Sequence, residues 1–94
     1  MSYSLKFKEE ALREWRKLDS GLRGRFKTKL AERLQKPRVP AAKLSGQKDR
    51  FKIKLRNAGY RLVYEVRDAE LVVVVVAIGR RERNAVYKAA VKRV

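Results

Sequence analysis

The sequence predicts an α+β fold with element order β-α-α-β-β-β-α: a small antiparallel sheet with an N-terminal helix pair on one face and a C-terminal helix. Three observations predict it. Apolar residues alternate with polar ones over residues 3–7 and 51–55, the two-residue period of half-buried strands. Between residues 11 and 34 they recur instead at helical spacing. Residues 71–78 are apolar at every position, as in a strand covered on both faces. Residues 1–94 read as one domain, without repeats or a linker.

Tyr3, Leu5 and Phe7 alternate with Ser4 and Lys6, which gives a short first strand. From Lys8 the period changes, with Ala11, Leu12, Trp15 and Leu18 at helical spacing until Asp19-Ser20-Gly21 supplies a break and a candidate cap. Leu22, Phe26, Leu30 and Leu34 then repeat every four residues along a second helix, which Pro37 and Pro40 stop. The two helices are expected to form an antiparallel pair. Residues 41–49 read as a loop through Ser45-Gly46. Next, Phe51, Ile53 and Leu55 alternate with Lys52, Lys54 and Arg56, a strand with one apolar and one cationic face. Asn57-Ala58-Gly59 turns the chain into a strand over 60–67, and Asp68-Ala69 or Ala69-Glu70 turns it again into 71–78, completing an antiparallel meander. The last of these strands should be central, with helices on both sides. Gly79-Arg80-Arg81-Glu82 leaves the sheet, and Val86, Ala89, Ala90 and Val94 form a weak apolar stripe on a final helix. Trp15, Phe26 and Tyr64 are assigned to the core.

With 45% hydrophobic residues the chain can fold, so its 38% charged residues mark a charged surface rather than disorder. The 26 Lys and Arg against 10 Asp and Glu leave a net charge of +16, a self-repelling surplus that a polyanion would neutralise. Nucleic acid leads among partners, ahead of a merely solubilising surface and of an anionic membrane. There is no cysteine and no histidine, which excludes disulfides, zinc-thiolate sites, cysteine nucleophiles and histidine general bases. No Gly-rich phosphate loop, serine-hydrolase motif or metal-ligand cluster can be assembled. Asp68 and Glu70 fall in a turn and the other acids are scattered through a positive field, so metal catalysis is rejected and no cofactor is expected. The N-terminus becomes charged at once and lacks a long apolar stretch, so neither a secretory signal nor a spanning helix is expected, and the cytoplasm is the default compartment.

One constellation remains. Lys52, Lys54 and Arg56 project from one strand face, and Arg61 begins the neighbouring strand directly after the turn. Arg80, Arg81 and Arg83 leave the end of the central strand, and Tyr87 follows on the last helix one turn after Arg83. Together they would line one groove. The plainer alternatives are a solvated strand face and a tyrosine that packs a helix onto the sheet.

Several stretches carry a resemblance: Leu-Arg-Glu-Trp-Arg-Lys-Leu at 12–18, Lys43-Leu44 with Gly46, Phe-Lys-Ile-Lys-Leu-Arg at 51–56, Gly-Tyr-Arg-Leu-Val-Tyr at 59–64, and 79–83 followed by Val86-Tyr87. Each is weak alone and specific in combination. Over nearly its whole length the sequence resembles the RelE toxins of bacterial type II toxin-antitoxin pairs. That resemblance implies a RelE-like microbial ribonuclease-type fold. It also implies a ribosome-dependent endoribonuclease, an mRNA interferase that enters the A site of a translating 70S ribosome, cuts the mRNA and inhibits translation. The family's catalytic positions fall on Lys52, Lys54, Arg61, Arg81 and Tyr87, and every required residue type is present. Gyrase-poisoning ParE-like relatives do not share the full cationic set, so RNA cleavage is favoured over that reading and over a non-catalytic basic RNA- or ribosome-binding protein. A RelB-like antitoxin is implied, wrapping the domain and binding operator DNA only together with it.

Chemically, such a site would let the RNA's own 2′-hydroxyl attack the adjacent phosphorus. Lys54 is the proposed base, its pKa lowered by Lys52, Arg56 and Arg61. Arg61 and Lys52 would hold the phosphate, and Tyr87 would stack on or orient the nucleotide. Arg81 would act as proton donor or as a purely electrostatic stabiliser of the leaving oxygen. Arg56, Arg80 and Arg83, with Arg13, Arg16 and Lys17 on helix one and Arg23, Arg25, Lys27 and Lys29 on helix two, would grip RNA phosphates, including those of 16S rRNA. An exposed, solvated helix face is the alternative for each of the helical ones.

Overall fold

A computed structural model describes residues 2–93. The chain runs β1 (Ser4–Phe7), α1 (Glu9–Lys17), α2 (Ser20–Gln35), β2 (Arg50–Leu55), β3 (Tyr60–Arg67), β4 (Val72–Arg80) and α3 (Ala85–Lys92), the order expected from periodicity. Glu9 and Glu10 sit in the first turn of α1 and Arg16 and Lys17 in its last, matching the helix dipole at both ends. Asp19 divides the helices: its Oδ1 accepts from the Leu22 N–H at 2.8 Å as the N-cap of α2. Arg23 reaches back from α2 and donates to the Leu18 carbonyl at 2.6 Å and the Arg16 carbonyl at 3.3 Å, covering the end of α1.

The helix pair spreads over the sheet. α1 packs on β4 and α2 on β2, and the two meet through Trp15 and Phe26, whose ring centroids are 6.4 Å apart. Phe26 and Leu30 on the four-residue stripe of α2 are buried, while Leu22 and Leu34 at its ends are half-buried. Tyr64 is fully buried, its hydroxyl donating to the Pro37 carbonyl at 2.6 Å and accepting from Arg33 Nη1 at 2.9 Å. Trp15 is only half-buried, packed against the edge of this core.

The four strands lie in the order β1-β4-β3-β2. β2, β3 and β4 form the expected antiparallel meander, but β1 joins β4 in parallel, so the sheet is mixed rather than wholly antiparallel. Alternation fixes which side chains face inward and carries no information on strand direction; here two helices and the meander separate β1 from its partner, ample chain for the crossover that parallel pairing requires. β4 is central and buried on both faces from Val72 to Ile78. Val73, Val75 and Ile78 join Phe26, Leu30 and Tyr64 on the side of α1 and α2, whereas Val76 and Ala77 join Val63, Val86 and Ala90 under α3. A register shift between Val63 and Tyr64 leaves Val76 as an extra residue, which is how two successive side chains enter the same layer.

Leu71 does not begin β4. It takes a left-handed conformation, φ 54°, and closes the 3₁₀ turn Asp68–Glu70, with 39% of its surface exposed. The segment 41–49 is less irregular than expected, containing a 3₁₀ turn at Pro40–Ala42 and a Lys43–Phe51 bridge against β2. Val94 lies outside the described residues.

Candidate functional site

Along β2, Phe51, Ile53 and Leu55 face the core, so the intervening Lys52 and Lys54 project from the opposite sheet face, the one that α3 partly covers. The strand register sets Lys54 directly opposite Arg61, and Arg61 opposite Gly79 of β4. A Cβ at Gly79 would come within 3.1 Å of Val86 Cγ2, so this glycine lets the start of α3 lie close on the sheet. α3 thereby places the Tyr87 ring over Arg61, with the guanidinium carbon 5.1 Å from the ring centroid. Arg61 Nη1 donates to Asn84 Oδ1 at 3.3 Å. Arg61 Nε and Tyr87 Oη are both buried and have no hydrogen-bond partner. Two polar atoms left unsatisfied on neighbouring side chains hold hydrogen-bonding capacity that a ligand can use only once these side chains shift, since both atoms are buried.

Arg81 follows β4, and its N–H bonds the Gly59 carbonyl at 2.7 Å, tying it to the β2–β3 turn. It lines a pocket of about 180 Å³ together with Lys54, Arg56, Tyr60 and Arg61. The cations act on one another: Lys52 first, then loss of hydration, then Arg61, Arg56 and Arg81, hold the Lys54 ammonium below its usual pKa. Burial pushes the Tyr87 phenol up, while the Arg61 charge pulls it the other way. The fold therefore brings Lys52, Lys54, Arg61, Arg81 and Tyr87 to one site.

The remaining basic residues divide. Arg56 is exposed at the end of β2; with Arg25 and Lys29 of α2 and Lys54 it borders a groove of about 560 Å³ beside the pocket. Arg80 pairs with Tyr60 on the opposite sheet face from Lys54, its Cζ 5.5 Å from that ring. Arg83 is not on α3: it and Asn84 form a left-handed turn, φ 49° and 56°, ahead of the helix. Arg13 is exposed and paired with Glu9 at 2.7 Å. Arg16, Lys17 and Lys27 are exposed, and Arg23 serves α1 as described. Sequence reading missed Gly79 and Asn84. The signal for Gly79 was a glycine ending an apolar run; Asn84 had none. Among the described residues no group of three or more potential metal ligands comes together, and no helix is long and apolar enough to cross a membrane.

The sequence profile described as "ParE toxin of type II toxin-antitoxin system, parDE" matches residues 5–85. The chain is 55% identical to the "mRNA interferase toxin RelE" of Escherichia coli (strain K12), over 100% of this chain and 99% of that one. This chain belongs to the RelE/ParE toxin family. Among solved structures, an E. coli RelE toxin mutant in the free state superposes with a TM-score of 0.92 at 53% identity, covering 100% of this chain and 99% of the other. An E. coli RelE mutant in complex with a peptide of the antitoxin RelB superposes with a TM-score of 0.84, at the same identity and coverage. The meander and its flanking helices thus match the fold of a RelE toxin over the whole chain.

Proposed function

We propose that this RelE/ParE-family chain is an mRNA interferase, an endoribonuclease that enters the A site of a translating 70S ribosome and cuts the mRNA there. The observation that carries the reading is the register pair Lys54–Arg61, with Arg61 against the Tyr87 ring, Lys54 held below its ordinary pKa and two buried polar atoms unpartnered. The near-full-length identity to a relative named as an mRNA interferase agrees with it.

Lys54, neutral in a larger fraction than an isolated lysine, takes the proton of the 2′-hydroxyl as that oxygen attacks the adjacent phosphorus. A P–O bond forms to the 2′-oxygen and the bond to the 5′-oxygen breaks, which leaves a 2′,3′-cyclic phosphate and a 5′-hydroxyl. Arg61 and Lys52 stabilise the charge that develops on the phosphorane oxygens. Arg81 supports the departing 5′-oxygen by charge and hydrogen bonding; a guanidinium is too weak an acid to be its main proton source, so the 5′-oxygen takes its proton from solvent, to which Lys54 afterwards returns the one it removed. Tyr87 holds the nucleotide through its ring, and its hydroxyl, buried in the free protein, reaches the nucleotide only as the side chain shifts on binding. The ribosome supplies the alignment of 2′-oxygen, phosphorus and leaving oxygen, and free RNA is a poor substrate. Arg56, Arg25 and Lys29 extend the positive surface along the adjoining groove, and Arg16, Lys17 and Lys27 add exposed cations on the helices.

A RelB-like antitoxin neutralises the chain, and the pair together binds operator DNA; the protein works in the cytoplasm. The test is cleavage of mRNA on a programmed ribosome with an empty A site, beside naked mRNA and beside Lys54→Ala. Cutting that needs both the ribosome and Lys54 supports the proposal. Ribosome binding without cutting would leave a basic binding module, and gyrase inhibition without cutting would favour the ParE-like activity.

A further inference from the structure

Arg50, the first residue of β2, is a charged side chain in the buried class, with 7% of its surface exposed, and the chemistry above does not use it. Its guanidinium is occupied on every nitrogen. Nε donates to Glu65 Oε1 at 3.0 Å, across the strand pair in register. Nη1 donates to Gln47 Oε1 at 3.3 Å and to the Ala90 carbonyl. Nη2 donates to the Arg93 carbonyl at 2.6 Å. Ala90 and Arg93 lie in the last turn and C-cap of α3, where carbonyls lack helical partners and the dipole favours a cation.

α3 needs such an anchor. At eight residues it is too short to persist alone. Its N-cap, Asn84, is left-handed and makes no side-chain capping bond, and the preceding Arg83 is left-handed too. The helix is therefore held by Val86 packed on the sheet near its start and by polar ties at its C-terminal end. There Arg93 adds a second tie, pairing with both oxygens of Glu14 at 2.8 and 3.1 Å and donating to the Val76 carbonyl at 3.0 Å. Tyr87 precedes Ala90 by three residues, one turn along the same helix face. Arg50, Lys52 and Lys54 alternate along one strand, so the strand that carries the lysines also carries the anchor of the helix that carries Tyr87.

We propose that Arg50 is a positioning residue for RNA cleavage, fixing the register of α3 and hence the placement of Tyr87 over Arg61. The proposal rests on the role given to Tyr87 above. It is tested with Arg50→Met, Tyr87→Phe and the double variant in the intact protein, by single-turnover cleavage on programmed ribosomes and by amide hydrogen exchange. Arg50→Met is expected to raise exchange over residues 85–92 with β4 still protected. It should slow cleavage by about ten- to a hundredfold, the scale of a small misplacement of a reacting group, while the ribosome concentration at half-saturation stays within about twofold. In the Tyr87→Phe background, which keeps the ring but not the hydroxyl, the same change should cost clearly less than in the wild type. Arg50→Lys keeps the charge but not the planar fork, and should lose less in rate and protection than Arg50→Met; it carries the test if Arg50→Met does not fold.

Wild-type cleavage by Arg50→Met, or by Arg50→Lys where the Met variant is unfolded, overturns the inference, as does an equal loss in both Tyr87 backgrounds. If Tyr87→Phe itself cuts at the wild-type rate, the role of Tyr87 falls and this inference with it. A slow Tyr87→Phe beside a normal Arg50 variant removes the inference alone.

Discussion

Arg61→Met leaves an aliphatic stem beneath the Tyr87 ring and removes the guanidinium. Its effect on stability is a near-cancellation. The variant loses the 3.3 Å bond to Asn84, about 0.5–1.5 kcal/mol, and the cation–π contact at 5.1 Å, about 0.5–1 kcal/mol. It regains the cost of the buried, unpartnered Nε, about 1–3 kcal/mol, and relieves the like charge facing Lys54. The sum lies within about 1–2 kcal/mol of zero, and near neutrality the melting temperature should move by less than about 16 °C, at roughly 4–8 °C per kcal/mol for a chain of this size. Catalysis has no such compensation. Losing one preorganised donor to a developing oxyanion costs about a hundred- to a thousandfold, or 2.7–4 kcal/mol. Single-turnover cleavage on programmed ribosomes at saturating toxin, beside a thermal melt, reads both quantities. A rate within tenfold of wild type would refute the role of Arg61, and a melting temperature lowered by well over about 16 °C would refute the energetic reasoning.

Because Lys54 is held below the ordinary lysine pKa of about 10.4, the cleavage rate should climb with pH and level off below that value. Lys52→Met removes the largest cause and should move the inflection upward; an unmoved inflection would exclude Lys54 as the base. Tyr64→Phe strips a fully buried hydroxyl from Pro37 and Arg33, at about 1–3 kcal/mol. The melting temperature should fall by about 5–20 °C, with specific cleavage activity unchanged at a temperature where the variant is folded. Acid should destabilise the fold through two carboxylates. Burial raises the Glu65 pKa, but Arg67 and Arg50 outweigh it, and Arg38 and Tyr3 lower that of Asp68. Both folded-state values lie below the unfolded ones of about 4.3 and 3.9, so this stability is present at neutral pH and lost as pH falls through the folded values. A melting temperature flat from pH 5 down to 2 would contradict it.

Much of this arrangement could be read from residue spacing because burial imprints a period. The unbroken apolar run at 71–78 marked the central strand, and the structure covers it on both faces. The Lys52/Lys54 alternation marked a cationic face, and Asn57-Ala58-Gly59 placed Arg61 opposite Lys54. Direction and bulges leave no such imprint: five consecutive valines do not reveal that Val76 is the extra residue, nor that β1 runs parallel to β4. Nor does local pattern reveal that Arg80 lies over the Tyr60 ring within β4, or that Arg83 and Asn84 form a left-handed turn before the last helix. Arg50, Glu14 and Arg93 look like surface charges in a chain this basic. Their burial depends on contacts between residues 40 to 79 positions apart, which local pattern does not encode.

The central claim is that this cationic site cuts RNA through the substrate's own 2′-hydroxyl. The most direct measurement compares two messengers on programmed ribosomes, one all-ribose and one with a single 2′-deoxynucleotide at the scissile position, and analyses the ends produced. The account predicts a 2′,3′-cyclic phosphate and a 5′-hydroxyl from the first and no cutting at that position in the second. Cleavage of the deoxy-substituted messenger at a comparable rate would contradict it.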